Sequence, residues 1–589
     1  MTTPDQALVA YFSMEIGLEA GMPTYAGGLG VLAGDTIRAA ADVEIPMVVV
    51  TLVHRRGYFF QRMDAAGNQS EEPVSWAIDD YAESVPVSVT IDVEGRAVQV
   101  GAWRYDVTGV SGFIVPVYLL DTDRPANTDW DRRLTDTLYG GDQHYRLCQE
   151  VILGLGGLRL LRALGYRTLH RYHLNEGHAA LLALGLLAEQ LPDHGGGPAD
   201  CQAAMARVRE QCVFTTHTPV PAGHDQFPDA MARRVVGERL WTILAHCWTN
   251  STLNMTALGL HCARYVNGVA MKHGDVSRGL FPGYPIHSIT NGVHAVTWAA
   301  PSFQDLYDRQ LPDWRRDALS LRYAIGIPVE DIWRAHQEAK RVLLDHVNRE
   351  TNAGFDCDVL TIGFARRAAA YKRFLLVFQN LDRLVRLAQE AGPIQLVFAG
   401  KAHPLDADGK AVLRRLHEVR GALGGAVKVA YLANHDMELG RKLCAGVDVW
   451  LNTPMPPLEA SGTSGMKAAI NGVPSLSVLD GWWVEGHVEG VTGWAVGESL
   501  QPCATPDPGM DVCHAAELYE QLAKKVLPCF YKERERFKDM MRHTIVLNGS
   551  FFNAHRMVAQ YLHNAYRVTG AFLGGTAGVR SVGPRLGDV

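Results

Sequence analysis

Short apolar runs of strand character alternate with helical stretches along most of this 589-residue chain, and the alternation limits the folds open to it. Successive β–α–β units pack as mainly parallel sheets covered by helices. Residues 8–12 and 45–53 read as strands, and Leu29, Leu32, Ala33, Thr36, Ile37 and Ala40 between them follow the spacing of one helical face. The second half repeats the theme, with residues 360–364, 395–399, 427–432 and 447–451 as parallel strands. A chain of this length has room for more than one core, so two α/β domains are expected, 1–295 and 296–569, joined within residues 291–300. Residues 147–164 are apolar on most helical faces and read as a buried helix. Residues 193–199 and 501–510 read as surface loops from their Gly and Pro content, and the Gly-rich tail 570–589 as flexible. No internal repeat or heptad run is present.

Composition narrows the function classes. Apolar content of 47% with 20% charged residues describes an ordinary globular protein. A net charge of −7 provides no basic footprint for nucleic acid or anionic membrane. No uncharged apolar run reaches the roughly 18 residues of a membrane span. The opening MTTPDQALVAYF has no basic region followed by an apolar core, so no signal peptide is expected. The ten cysteines are scattered without a CxxC pair. They read as buried, reduced thiols of a cytoplasmic protein rather than a disulfide framework or metal site.

The stretch that carries chemistry is Glu459-Ala460-Ser461-Gly462-Thr463-Ser464-Gly465-Met466-Lys467. It places a lysine just inside a predicted helix, behind a loop of small residues whose amides stay accessible. Such a helix start binds anions, because its first N–H groups lack partners and the helix dipole is positive there. A partly desolvated Lys467 in that field has its ammonium form disfavoured and can form an imine with an aldehyde. An anion site beside a reactive lysine points to a phosphorylated aldehyde such as pyridoxal phosphate. Taken alone, the segment also reads as a Gly-rich turn capping an ordinary helix with Lys467 on its solvated face.

Other groups admit two readings in the same way. Arg366, Arg367 and Lys372 cluster just beyond a strand end with Tyr371 among them, suited to phosphate or simply solvated. His178 follows Asn175, read as an N-cap, at the start of an apolar helix. Asn291 lies in a strand-end Thr-Asn-Gly that is equally an ordinary turn. The loop Gly27-Gly28-Leu29-Gly30 falls outside the carboxyl end of a strand, where open α/β sheets bind ligands. It is a poor dinucleotide fingerprint, because a long connection separates it from that strand. Trp482 and Trp483 read as core packing.

With its flanks Asn471-Gly472 and Leu479-Asp480-Gly481, the lysine segment closely resembles the cofactor segment of the α-glucan phosphorylases, the glycogen and maltodextrin phosphorylase family. Further landmarks follow that family's order: Tyr11-Phe12-Ser13-Met14-Glu15, Gly27-Gly28-Leu29-Gly30, Asn175-Glu176-Gly177-His178, Thr216-His217-Thr218, Thr290-Asn291-Gly292, and Arg366-Arg367 with Tyr371-Lys372-Arg373. The resemblance covers residues from about 8 to about 570. It implies two Rossmann-like doubly wound domains facing a central cleft, the GT-B glycosyltransferase architecture, with a final helix near 555–568 crossing back to the first domain. The chain resembles a short form, beginning almost directly with the first strand and without the N-terminal control segment of longer relatives. Activity without nucleotide activation is therefore expected, and a homodimer is compatible with the resemblance.

What the resemblance implies about the site is specific. Pyridoxal 5′-phosphate would be linked as a Schiff base to Lys467, with Thr463, Ser464, Arg366 and Gly28 around it. Arg367 and Lys372 would take the substrate phosphate. Glu459, the Ser461 and Gly462 amides, Asn291 and Tyr371 would contact the sugar. His178 would face the glucosyl unit at the cleavage point through its ring and carbonyl, with His217 as a second candidate. Two departures stand out: familiar members have lysine at Arg366, and Ser464-Gly465 replaces their Gly-Asn. The expected reaction is retaining phosphorolysis of the non-reducing terminal glucose of an α-1,4-glucan by inorganic phosphate, releasing α-glucose 1-phosphate, with the cofactor's 5′-phosphate as proton shuttle. The alternatives are a nucleotide-sugar glucan glycosyltransferase of the glycogen synthase kind, lacking an imine lysine, or a silent glucan-binding homologue. No metal is expected.

Overall fold

The computed structural model describes residues 4–192, 196–220, 223–247, 252–423, 425–497 and 509–567. It is a mixed α/β structure built on two large sheets. The first runs, in spatial order, Ile286–Ser288, Tyr265–Gly268, Cys212–Thr215, Arg171–Asn175, Val9–Ser13, Met47–Leu52 and Ile114–Asp121, all parallel. An antiparallel edge follows, made by the long strand Arg96–Thr108 and its short partners. The sequence reading did not anticipate that edge. Val9–Ser13 and Met47–Leu52 are buried at every position. That explains their near-continuous apolar sequence, because helices cover both faces of a parallel sheet.

The second sheet holds six parallel strands: Val427–Leu432, Ile394–Ala399, Leu360–Ala365, Val449–Asn452, Ser475–Val478 and Gly493–Val496. Its chain order reverses between Leu360–Ala365 and Val449–Asn452. In the first sheet the reversal lies between Val9–Ser13 and Arg171–Asn175. At such switch points the flanking connections leave in opposite directions and open a crevice beyond the carboxyl ends of the strands. The four sequence-read strands of the second half coincide with observed ones to within two residues.

Some local expectations change. The run read as a helix over 147–164 is part of a longer one that starts at Gln143 and contains a π-turn at Ile152–Gly156. Residues 198–199 and 509–510 belong to helices rather than loops; residues 193–195 and 501–508, like the tail 570–589, lie outside the described residues. Asn175 is not an N-cap. It ends its strand and spends its side chain across the sheet, donating to Ser13 Oγ at 3.0 Å. Most described cysteines are free and buried, but Cys513 is exposed. Among the described residues, no helix is long and apolar enough to cross a membrane.

The last described helical stretch, Ala554–Gln560 continued by Tyr561–Tyr566, packs on the core of the first sheet. Tyr566 Oη lies 2.7 Å from His173 Nδ1, and Tyr561 Oη takes a 3.0 Å bond from Asn267. In the opposite direction, the hairpin Phe60–Met63/Gln69–Glu72 docks on the second sheet, where Gln61 bonds Tyr431 Oη at 2.9 Å and Gly400 O at 3.3 Å.

One buried ion cluster ties helix Val329–Thr351 to the second sheet. Asp448, fully buried, accepts from Lys340 Nζ at 2.6 Å, His336 Nε2 at 2.9 Å and the Thr361 amide at 2.7 Å. Removing one partner of such a cluster strands the others without solvent. We expect Asp448→Ala to lower stability by about 3–5 kcal/mol, read as a fall in the urea midpoint at unchanged slope. A midpoint within error of the parent would show that the cluster contributes nothing net.

Candidate active site

The two switch points gather most of the chemistry-bearing side chains. Arg366 and Arg367 follow strand Leu360–Ala365, while Asn452 ends the neighbouring strand. The chain then turns through Tyr371 and Lys372, and Met455 N bonds Tyr371 O at 2.8 Å to bring residue 459 alongside. Glu459 Oε2 accepts from Lys372 Nζ at 2.6 Å. Arg366 Nη1 lies 2.7 Å from the same oxygen but off the line of its N–H bonds, so that contact is ionic rather than a directed hydrogen bond. Burial alone would raise the Glu459 carboxyl; Arg366 and Lys372 overcome it and hold the pKa at about 2. Because a depressed carboxylate stabilises only while ionised, its contribution persists above the ordinary carboxylate range and is lost as pH falls toward 2.

Arg367 remains exposed beside this cluster, within electrostatic reach of Tyr371, Tyr58 and Glu15. Of these three cations, Arg366 and Lys372 share the single carboxylate Glu459 as their ion-pair partner, and Arg367 forms no carboxylate ion pair among the described residues, the condition for holding an anion. Arg373, the next cation, is spoken for: it donates to the Thr453 and Pro454 carbonyls at 2.8 and 2.6 Å and pairs with Asp511 at 2.8 Å. It shapes the turn rather than facing a ligand.

Lys467 lies in helix Thr463–Ile470, whose N-cap Gly462 takes φ +88° and supplies no side-chain cap. Among the described residues the Thr463 and Ser464 amides have no side-chain cap, whereas the Gly465 amide donates to Gly462 O at 3.3 Å. Ser464 directs its hydroxyl at Trp450 Nε1, 3.1 Å away, leaving only its amide toward the helix start. Trp482 underlies the loop: a Cβ on Gly465 would come within 2.7 Å of its ring. Ser461 is buried with its hydroxyl unpartnered among the described residues. Lys467 itself is buried, and burial lowers its pKa. Its Nζ rests 3.8 Å from the Trp298 ring centroid and, among the described residues, has no ion-pair or hydrogen-bond acceptor. Lys340, equally buried, is paired with a carboxylate at 2.6 Å.

On the first sheet, Glu15 accepts from the Ala26 and Gly27 amides at 2.6 and 3.2 Å and from Tyr139 Oη at 2.8 Å, pinning the glycine loop. Helix Gly28–Asp42 starts there without a side-chain cap, and a Cβ on Gly28 would meet nothing within 4 Å. The loop is thus an open, amide-lined helix start. Asn291 is buried with Oδ1 unpartnered, and its carbonyl accepts from Arg556 at 2.8 Å.

His178 and His217 both lie near the first switch point but differ in setting. His178 Nε2 is 3.3 Å from Asp225 and 3.5 Å from Arg146, and Nδ1 is buried and unpartnered. His217 bonds Asn175 Oδ1 through Nε2 at 2.7 Å, and its amide donates to Glu176 at 2.7 Å. Burial pushes the His217 imidazole down to about 3, so it is neutral at working pH. Glu176 holds φ +75° while satisfying three donors, backbone strain concentrated at the crevice. Sequence reasoning did not single out Glu176, Asp225, Arg146, Asn452 or Trp298. Only Glu176 lay inside a quoted motif; the others become visible through contacts made far along the chain.

As a whole, the arrangement can hold a phosphorylated aldehyde on Lys467, bind a further anion on Arg367 and Lys372, and meet hydroxyl groups with Glu459, Ser461 and Asn291. In competitive acylation we expect Lys467 to react at lower pH than an exposed lysine such as Lys524, since a lowered pKa frees the amine earlier in an upward titration. Coincident profiles would show that burial does not activate it.

Comparison with known proteins gives a consistent picture. Residues 224–492 match the family model described as carbohydrate phosphorylase. The chain is 38% identical to the maltodextrin phosphorylase of Thermococcus litoralis, over 95% of this chain and 70% of that protein. It is 37% identical to the glycogen phosphorylase of Mycobacterium tuberculosis, over 97% and 72% respectively. With the glycogen phosphorylase of Aquifex aeolicus it shares 32% identity over 95% and 86%.

Proposed function

The chain belongs to the carbohydrate phosphorylase family, and on that premise we propose that it is a retaining α-1,4-glucan phosphorylase. It would transfer the non-reducing terminal glucosyl unit of glycogen, starch or maltodextrin to inorganic phosphate, giving α-glucose 1-phosphate. Its two sheets would form two domains, 1–295 and 296–569, around the substrate crevice. The observation that carries this reading is a buried lysine with no ion-pair or hydrogen-bond partner among the described residues, together with two helix starts that lack side-chain caps and a cluster in which Arg366 and Lys372 share Glu459.

Those residues fit pyridoxal 5′-phosphate. Lys467 would hold its aldehyde carbon, and the amides at Thr463, Ser464 and Gly28 with Arg366 would hold its phosphate. Bound there, it would supply a phosphate group whose second ionisation is near neutrality, suited to proton exchange at working pH. Arg367 and Lys372 would fix inorganic phosphate in the crevice, where Tyr371 presents its ring to Lys372 at 4.3 Å. Glu459, the Ser461 and Gly462 amides and Asn291 would orient the sugar hydroxyls.

The state of the carboxylates argues for phosphorolysis over hydrolysis. Glu459, held near 2, is too acidic to serve as general acid at neutral pH. Burial pushes Asp480 up to about 7, but its oxygens are occupied by the Glu459 and Gly481 amides at 2.8 and 2.9 Å. No such pair suits the acid and nucleophile of a glycosidase. Inorganic phosphate held by Arg367 and Lys372 would instead protonate the leaving oxygen and then trap the sugar on the same face, which retains configuration. His178, whose Nδ1 is buried and without a hydrogen-bond partner among the described residues, would face the glucosyl unit at the cleavage point, with the neutral His217, fixed through Nε2 by Asn175, as a second candidate.

Phosphate-dependent release of glucose 1-phosphate tests the reading, together with a near-ultraviolet band from enclosed pyridoxal. We expect Lys372→Ala to keep the fold and lose on the order of 3 kcal/mol of transition-state stabilisation, about a hundredfold in rate. Near-parent turnover at saturating phosphate would remove Lys372 from the site, and phosphate-independent glucose release would replace phosphorolysis with hydrolysis.

A further inference from the structure

Helix Gly28–Asp42 carries two buried acids about two turns apart, and both grip the same distant segment. Asp35 accepts the Trp298 indole N–H on its two oxygens at 3.0 and 2.9 Å. Asp42 Oδ2 accepts from His294 Nε2 at 2.7 Å and His555 Nε2 at 2.9 Å, while the Val110 amide reaches Oδ1 at 2.9 Å. His294 is the N-cap of helix Ala295–Trp298, and its carbonyl takes the Trp298 amide at 3.2 Å. From the opposite side Asn471, which ends the helix of Lys467, donates to Trp298 O at 2.9 Å and accepts from the Ala300 amide at 2.8 Å. Segment 294–300 is thereby clamped between the helix that begins at Gly28 and the helix that carries Lys467.

The trio Asp42, His294 and His555 has the composition of a metal site, since one ligand atom from each lies within 4.8 Å of the others. Its hydrogen bonds argue otherwise. His555 Nδ1 accepts the Ala318 amide at 3.2 Å, so the ring proton is on Nε2 and faces Asp42. A nitrogen that donates to the carboxylate has no lone pair for a metal. The trio is a hydrogen-bonded anchor with Asp42 as its common acceptor.

We propose that Asp35 and Asp42 are positioning residues for the site described above, holding the Trp298 ring against Lys467 and setting that contact in register with the amide-lined start at Gly28. Two grips about 10 Å apart along one helix oppose rotation as well as sliding, whereas one would act as a pivot. The need for register is physical: the Gly28 amides and the Lys467 amine would hold opposite ends of one small molecule, and misplacement of about 1 Å at a reacting group can reduce rate a hundredfold. The catalytic consequence rests on the phosphorylase reading; the clamp and its effect on Lys467 do not.

Competitive acylation of the full chain, freed of carbonyl compounds with hydroxylamine, provides the test, with exposed Lys524 as internal standard. Asp42 bonds His294, His555 and the Val110 amide and has no contact with Lys467 among the described residues, so an effect of Asp42→Asn on Lys467 is relayed through the segment that His294 begins. We expect the Lys467 to Lys524 labelling ratio to change by about threefold or more in Asp42→Asn, the scale of a lost cation–π contact. An unchanged ratio in protein that still melts cooperatively overturns the role of Asp42. Asp35→Asn and Trp298→Phe are measured singly and together. A non-additive result supports positioning, while full additivity shows that Asp35 acts only through its field and overturns its part. If Asp42→Asn does not fold, this second cycle decides. In phosphorolysis, kcat should fall in Asp42→Asn with KM for glucan nearly unmoved, as for a residue that touches no sugar. Absence of phosphorolysis by the parent protein would overturn the assigned reaction, whereas the labelling ratio decides the clamp whatever the reaction.

Discussion

A lysine amine buried without a carboxylate is costly to keep, and the architecture around Lys467 is organised by that cost. Desolvation disfavours its ammonium form, the condition under which an amine can act as a nucleophile. The Trp298 ring lies 3.8 Å from the Lys467 amine and the Trp482 platform lies beneath its helix start, while buried Asp35, which holds the Trp298 indole N–H, acts on the amine through its field. Nearby Lys340 shows the ordinary solution, a fully buried pairing with Asp448. The same fold therefore contains two settings for a buried lysine, one paired with a carboxylate and one against an aromatic ring.

Charge around the crevice follows a complementary logic. Glu459 is locked as an anion by Arg366 and Lys372, so it cannot donate a proton, but it can hold those two cations apart and in place. Arg367 is exposed beside Tyr371 and, among the described residues, forms no ion pair with a carboxylate. On the facing side, Glu15 consumes the Ala26 and Gly27 amides and leaves the following helix start open. Carboxylates in this site act as scaffolds for positive groups and for amides. Proton transfer is thereby left to groups that bind from solution.

The route from sequence to fold was clearest where the local pattern and the global packing agree. The buried strands of the second half were legible because parallel strands covered on both faces must be apolar throughout. The antiparallel edge around Arg96–Thr108 was not, since its burial alternates irregularly and its partners are short. Asn175 illustrates a failure of local reasoning: its position before a helix suggested a cap, yet its side chain joins Ser13 and His217 across the sheet. Ser464 is similar, a first-turn helix hydroxyl that accepts from a strand tryptophan fourteen positions earlier.

What the sequence determined by itself was the set of short segments with intrinsic chemistry: a glycine-capped helix start ahead of Lys467, a strand-end pair of arginines, and the glycine loop at Gly27-Gly28. These are local because backbone amides, helix dipoles and strand ends are properties of a few consecutive residues. Tertiary structure alone decided which of their charges are free. Arg373 and Arg367 are close neighbours in sequence, but one is consumed by carbonyls and Asp511 while the other stays exposed. Lys340 and Lys467 look alike as letters, but Asp448 arrives within 2.6 Å of Lys340 while Lys467 lies against the Trp298 ring. Trp298, Asp35 and Asp42 carried no signal at all, because their meaning lies in contacts between residues more than two hundred positions apart. Partner choice over such separations is settled by how sheets and helices pack, which a run of neighbouring residues does not encode.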